Sequence, residues 1–202
     1  GGDLTLAVMG IINGLLGFCL FPIIGINMGL KPIIGYNYGA AEHERVKEAL
    51  IKGLCISTLL CFVLFLIIQL GAEKIISAYS SNDPDLLEMG TYALRVVMSL
   101  FFIIGFHQTA CVFFQACGKA KLSIFLTLLR QVILYLPLVF LLPKFWGLNG
   151  IWLITPLADL GATVVAGFFF VKEFKKLNVH QKIDSQDQLE LSQSLSQSGI
   201  KG

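Results

Sequence analysis

GLCISTLLCFVLFLIIQLGA, residues 53–72, contains no charged residue. Twenty predominantly apolar residues in a row are the length of helix that crosses the ~30 Å hydrocarbon core of a bilayer. A barrel strand would be about ten residues long and would alternate in polarity. This run does neither, so it reads as a membrane-spanning helix.

Working outward, the same pattern recurs. Residues 4–30 carry no charge, and between Val96 and Gly118 the only titratable group is His107. Arg130 is the only charge from Leu122 to Pro143, and Asp159 the only one from Phe145 to Val171. Five spans are therefore expected, near 5–30, 53–72, 94–118, 121–143 and 147–171. The composition agrees. Of 202 residues 55% are hydrophobic and 14% charged, with a mean hydropathy of +0.77. A soluble domain holds about 25% charged residues. The fold class is an all-α polytopic membrane protein. A net charge of +2, with no basic stripe or zinc-finger spacing, excludes a nucleic-acid partner.

The connections are short. Residues 36–52 join the first two spans, with Glu42, Glu44, Arg45, Lys47 and Glu48 as the solvated first turns of the second helix. Ser80-Ser81-Asn82-Asp83-Pro84 reads as a turn and helix start. Residues 1–178 form the helical domain. The Gln- and Ser-rich stretch 179–202 reads as a disordered cytoplasmic tail. The opening Gly1-Gly2-Asp3 reads as the end of a loop, and the chain as truncated. Membrane lipid is an expected partner.

Lys and Arg orient the bundle. Arg45, Lys47, Lys52, Lys119, Lys121, Lys172, Lys175, Lys176 and Lys182 fall on one side. Lys74, Arg95 and Lys144 on the other are diluted by Glu73, Asp83, Asp85 and Glu88. The C-terminus is thus expected in the cytoplasm of a plasma-membrane protein. Trp146 and Trp152 are expected as interfacial anchors. Pro22, Pro32, Pro137 and Pro156 each invite a kink. Gly10 with Gly14, Gly25 with Gly29, and Ala158, Ala162 and Ala166 are expected to let helices approach closely.

No enzyme motif is present. His43-Glu44 begins a zincin-like pattern, but Lys47 stands where the second histidine belongs. The five cysteines, Cys19, Cys55, Cys61, Cys111 and Cys117, include no CxxC and read as packing residues. No metal site and no cofactor are expected.

GINMGLKPIIGYNYGA, residues 25–40, followed by ERVKEAL at 44–50, resembles the multidrug and toxic compound extrusion (MATE) family, in the second copy of its repeated motif. Phe114-Gln-Ala-Cys-Gly-Lys119 resembles its Q-A-x-G-K at the end of helix ten. Arg130 with Pro137 resembles helix eleven, and Gly147 through Asp159 resembles helix twelve. Lys31 departs from the glutamine expected there. The resemblance implies helices eight to twelve, a partial C-terminal lobe, of a twelve-helix antiporter. Such a transporter exports amphiphilic, often cationic small molecules in exchange for Na⁺ or H⁺, the coupling ion. It implies a chain about twice as long, so the missing N-terminal half is an expected partner. A lipid-linked oligosaccharide flippase of the same superfamily, or a non-transporting membrane fragment or assembly partner, are the alternatives.

Buried ionisable groups in a membrane usually face the interior and are paired. Arg130 and Asp159 flank the turn at 143–149 at similar depth. They read either as an ion pair joining two helices or as a coupling site in which Asp159 takes a cation or proton. His107, beside Gln108, reads as a packing residue or a cavity group. The amides Asn13, Asn27 and Gln115 either bond between helices or line the cavity. Pro32, Gly35, Asn37 and Gly39 form the family motif at the cytoplasmic helix end, where the glycines permit a turn and Asn37 bonds the backbone.

Overall fold

The computed structural model describes residues 2–80 and 83–177 in full, and 178–199 as helix backbone. Six α-helices follow one another: α1 (Gly2–Gly39), α2 (His43–Ser80), α3 (Pro84–Val97), α4 (Phe101–Ala116), α5 (Ala120–Leu128) and α6 (Tyr135–Gly199). A π-helical turn, Leu129–Leu134, joins α5 to α6. The described residues contain no strand. The tail expected at 179–202 lies outside the fully described residues.

The helices α1 and α2 and the stretch Ala120–Leu177 are each long and apolar enough to cross a membrane. The pair α3 and α4, bent by 44°, is long and apolar enough to cross when taken together. Ala120–Leu177 is itself folded back on Gly147, whose φ of 54° and ψ of −133° suit glycine alone. Either side of that turn the chain pairs antiparallel. Leu134 faces Gly161, Arg130 meets Asp159, the rings of Phe125 and Phe169 lie 6.5 Å apart, and Lys119 reaches Glu173. At the turn itself Gly150 lies against the Leu142 carbonyl, with no room for a side chain. Each arm of that hairpin is long enough to cross.

The boundaries differ from expectation in instructive ways. The first helix runs nine residues past Leu30 and is unbroken at Pro22 and Pro32. The expected turn at Gly35–Gly39 is helical instead. The left-handed residue is Ala41, with φ 59°. Glu42 N–H bonds the Asn37 carbonyl at 2.9 Å and Ala41 N–H bonds that of Tyr38 at 3.2 Å, the paired bonds of a Schellman cap. The third span is the larger correction, since it is two helices with a break at 98–100. Asp83 caps α3, its carboxylate accepting from the N–H groups of Asp85 and Leu86 at 3.0 and 3.3 Å. At the break, Ser99 N–H turns to Val96, which leaves the Arg95 carbonyl to Gln69 of α2, whose Nε2 donates to it at 2.9 Å. Gln69→Leu removes that donor, and the expected loss is about 1 kcal/mol of stability, read as a lower midpoint in detergent unfolding.

The packing glycines are also not the expected ones. Gly10, Gly14, Gly25 and Gly29 face open space. The close approaches are at Gly53 against Leu30, Gly90 against Ile76 and Gly105 against the Ser57 backbone. The alanine stripe behaves as expected, with Ala158, Ala162 and Ala166 all buried. Trp146 is exposed, whereas Trp152 turns inward and is 2% exposed within the core.

Two apolar clusters form the interior. One is built on Val8, Ile12, Ile23, Cys61, Leu94, Ile104 and Trp152. The other is built on Leu30, Ile34, Leu50, Phe113, Phe114 and Phe170. They occupy opposite ends of the bundle.

Candidate functional site

Buried polar residues sit where the two clusters divide. On α1, Asn27 falls between Ile23 of one cluster and Leu30 of the other; on α2, Ser57 falls between Cys61 and Leu50. On α4, His107 and Thr109 fall between Ile104 and Ala110; on α6, Asp159 falls between Trp152 and Ala166. Residues far apart in sequence thus make one polar tier at mid-bundle. Unpaired polar groups are expensive in hydrocarbon; Asn27, Thr109 and Asp159 have partners, whereas Ser57 Oγ and His107 Nδ1 are buried with no hydrogen-bond partner among the described residues. Thr109 Oγ1 donates to Asn27 Oδ1 at 3.2 Å, joining α4 to α1.

The charged centre of the tier is Arg130 with Asp159. Arg130 Nε donates to Asp159 Oδ1 at 2.5 Å, with the side chains 18% and 5% exposed. The local fold explains the meeting. Pro137 has no N–H for the Ile133 carbonyl, and its ring crowds that carbonyl. The backbone widens into the π turn just before it, a distortion frequent at functional sites. Arg130 is on that turn. From the other side, Ala158 and Ala162 are buried on α6, and Asp159 beside them is 4% exposed. The pair lines a cavity of about 300 Å³ with Gln131 and Tyr135 on one wall, Thr155 on another and Leu20 of α1 closing it.

The other expected residues are placed apart from this cavity. His107 is buried on α4, its Nε2 4.0 Å from the sulfur of Cys111, and Gln108 beside it is half-buried. Asn27 makes the interhelical bond. Asn13 and Gln115 are exposed on α1 and α4. Asn37 donates through Nδ2 to the Ile33 carbonyl at 2.8 Å, the expected backbone bond. Pro32 is exposed, and Gly35 passes α4 where a Cβ would lie 3.6 Å from the Ala116 carbonyl. No cluster of three or more metal-ligating side chains occurs among the described residues. Of the phenylalanines of α4, Phe101, Phe113 and Phe114 belong to the core.

The family model MatE matches residues 2–141. The chain belongs to the MATE family. It is 29% identical over 152 residues to the multidrug export protein MepA of Staphylococcus aureus strain MSSA476, covering 74% of this chain and 33% of that protein. It is 26% identical over 156 residues to an FAD transporter of Shewanella oneidensis, covering 77% of this chain and 34% of that one. The solved structure of the MATE multidrug transporter DinF-BH superposes with a TM-score of 0.77 at 30% identity, covering 85% of this chain and 38% of that chain. The chain spans about a third of the length of the curated relatives it matches.

As a MATE chain it is a multi-pass membrane protein of a transporter family, and its motifs have a physical account. In Gln115-Ala-Cys-Gly-Lys119, Gly118 has a φ of 75° and is the left-handed residue of a second Schellman cap. Lys119 N–H bonds the Phe114 carbonyl at 2.8 Å and Gly118 N–H that of Gln115 at 3.2 Å. Lys119 then pairs with Glu173 of α6, tying the end of α4 to the last helix. Sequence reasoning missed Thr109, Gln131, Tyr135 and Thr155. Thr155 had a signal, since it lies one helical turn before Asp159; Thr109 had none, because its partner is on another helix.

Proposed function

We propose that this chain is the C-terminal part of a MATE-type secondary antiporter that exports amphiphilic, often cationic compounds in exchange for Na⁺ or H⁺. The observation that carries the reading is the Arg130–Asp159 pair on the wall of a polar cavity at mid-bundle. A carboxylate held there can exchange its arginine for a cation or proton, and substrate movement can be linked to that exchange. Gln131, Tyr135 and Thr155 supply the neutral donors and acceptors of such a site. The names of the relatives support the substrate class. The concentration of Lys and Arg at one end supports a plasma-membrane orientation with the C-terminus in the cytoplasm.

Alternating access needs two lobes that move against each other around a shared site. Vesicles holding these 202 residues alone are therefore expected to give no gradient-driven efflux of ethidium. Vesicles holding them together with a family N-terminal half are expected to give saturable efflux, lost in Asp159→Asn. Flux by the chain alone, or undiminished flux in Asp159→Asn, would overturn the reading.

A further inference from the structure

Positive charge is unevenly placed at the end of the bundle where α1 meets α2 and α4 meets α5. At the α1–α2 connection Glu42, Glu44 and Glu48 balance Arg45, Lys47 and Lys52. At the ends of α4, α5 and α6, Lys119, Lys121, Lys172, Lys175 and Lys176 face one carboxylate, Glu173. Glu173 is already engaged, by Lys119 directly and by Lys176 at 3.9 Å. Lys121, Lys172 and Lys175 are exposed and pair with no carboxylate among the described residues.

The excess sits on one seam. The rings of Phe125 on α5 and Phe169 on α6 lie 6.5 Å apart. Lys121 is one helical turn beyond Phe125, and Lys172 three residues beyond Phe169 on the antiparallel arm. The Lys119–Glu173 pair holds the same register at the far end. Two ammonium groups thus share one level on adjacent arms, an arrangement that repels unless an anion joins it. Inward from Lys121, Ile124 and Leu128 are 55% and 47% exposed; inward from Lys172, Phe168 and Val164 are 69% and 65% exposed. The steps are three or four residues, so each lysine heads an apolar stripe on its own helix face.

The depth of the lysines matches a headgroup layer. Trp146, beside the Gly147 turn, is 61% exposed, as an interfacial aromatic is. From that turn to Lys121 or to Lys172 is about 25 residues, or about 38 Å of helix. A bilayer with its headgroups is about 40–45 Å thick. With the turn at one interface, the lysines stand at the other and the stripes run into the acyl chains. A water-soluble acidic partner would meet the lysines alone, whereas a lipid meets lysines and stripes together.

We propose that an anionic phospholipid binds at this seam, with its phosphodiester between Lys121 and Lys172 and its acyl chains along Ile124–Leu128 and Val164–Phe168. The test places a photoreactive benzophenone amino acid at Ile124 of the chain in vesicles of equal phosphatidylglycerol and phosphatidylcholine, and adducts are weighed by mass spectrometry. One lysine at the headgroup surface predicts about a fivefold excess of phosphatidylglycerol adduct, and two bridged lysines no less. The same probe at Leu70, which is 84% exposed one turn before Lys74 and its neighbour Glu73, should label both lipids equally. In the Lys121→Gln, Lys172→Gln double variant the excess at Ile124 should disappear while total lipid labelling persists; the corresponding double change to Arg should keep it. Both positions are exposed, and circular dichroism checks that helix content is retained. Equal labelling at Ile124 in the unsubstituted chain, an excess that survives the double Gln change, or a protein adduct in place of a lipid one would each overturn the proposal. So would loss of the excess when phosphate replaces chloride at constant ionic strength, which would assign the seam to a soluble anion.

Discussion

Asp159→Asn is expected to destabilise the chain by about 3–5 kcal/mol, the cost of leaving one partner of a buried pair uncompensated. Arg130 Nε lies 2.5 Å from Asp159 Oδ1, and neither side chain is more than 18% exposed. With the carboxylate neutralised, the guanidinium keeps its charge at mid-bundle and loses its partner. The double change Arg130→Gln with Asp159→Asn removes the charge as well as its partner. It should recover much of the loss, because two amides can bond each other between the π turn and α6. The measurement is a double-mutant cycle on unfolding in detergent. A double variant as unstable as the sum of its singles would show that the pair contributes no coupling. Recovered stability together with absent flux in the two-lobe transporter would separate the role of Asp159 in transport from its role in folding.

Gly105→Ala is expected to cost about 1–3 kcal/mol, although it adds one methyl group. The added Cβ would lie 2.6 Å from the Ser57 carbonyl oxygen and 2.8 Å from its carbon. These are backbone atoms of α2, so α4 has to move off the helix it packs against most extensively. Gly10→Ala is the control. Nothing lies within 4 Å of its Cβ position, and helix propensity alone should stabilise it by up to about 1 kcal/mol. Equal effects of the two substitutions, read as shifts in the unfolding midpoint, would refute the packing assigned to α2 and α4.

That contrast shows where the sequence is legible. Gly10 and Gly14 stand four apart in an apolar helix, the spacing that predicts close packing, yet they face open space. Gly105 has no such partner in sequence and makes the close contact. Spacing along one helix shows which residues share a face, not which face meets a neighbour. The spans were legible because charge is excluded from hydrocarbon, and Arg130 with Asp159 because both flank one short turn at equal depth. The break at 98–100 was hidden, since Met98, Ser99 and Leu100 include neither glycine nor proline, and its freed carbonyl is served by Gln69 from another helix. The polar tier was hidden for a related reason. Asn27, Ser57, Thr109 and Asp159 are single residues on four helices, and only their common level in the bundle makes them a group.

The π turn at Leu129–Leu134 has a consequence for how this segment tolerates change. A π turn takes up one residue more than the α turn it replaces, so it works as a phase shift in the helix. An α-helix advances by about 100° per residue. The face that α5 shows to its neighbours is therefore offset by about that angle from the face that begins at Tyr135. Arg130 stands inside the offset, where neither helical frame dictates its direction. The surplus residue lets α5 and α6 each keep their own packing while a charged side chain between them is aimed independently at Asp159. Gain or loss of a single codon upstream of the turn would rotate one helix against its neighbours. Within the turn the same event changes only the aim of Arg130.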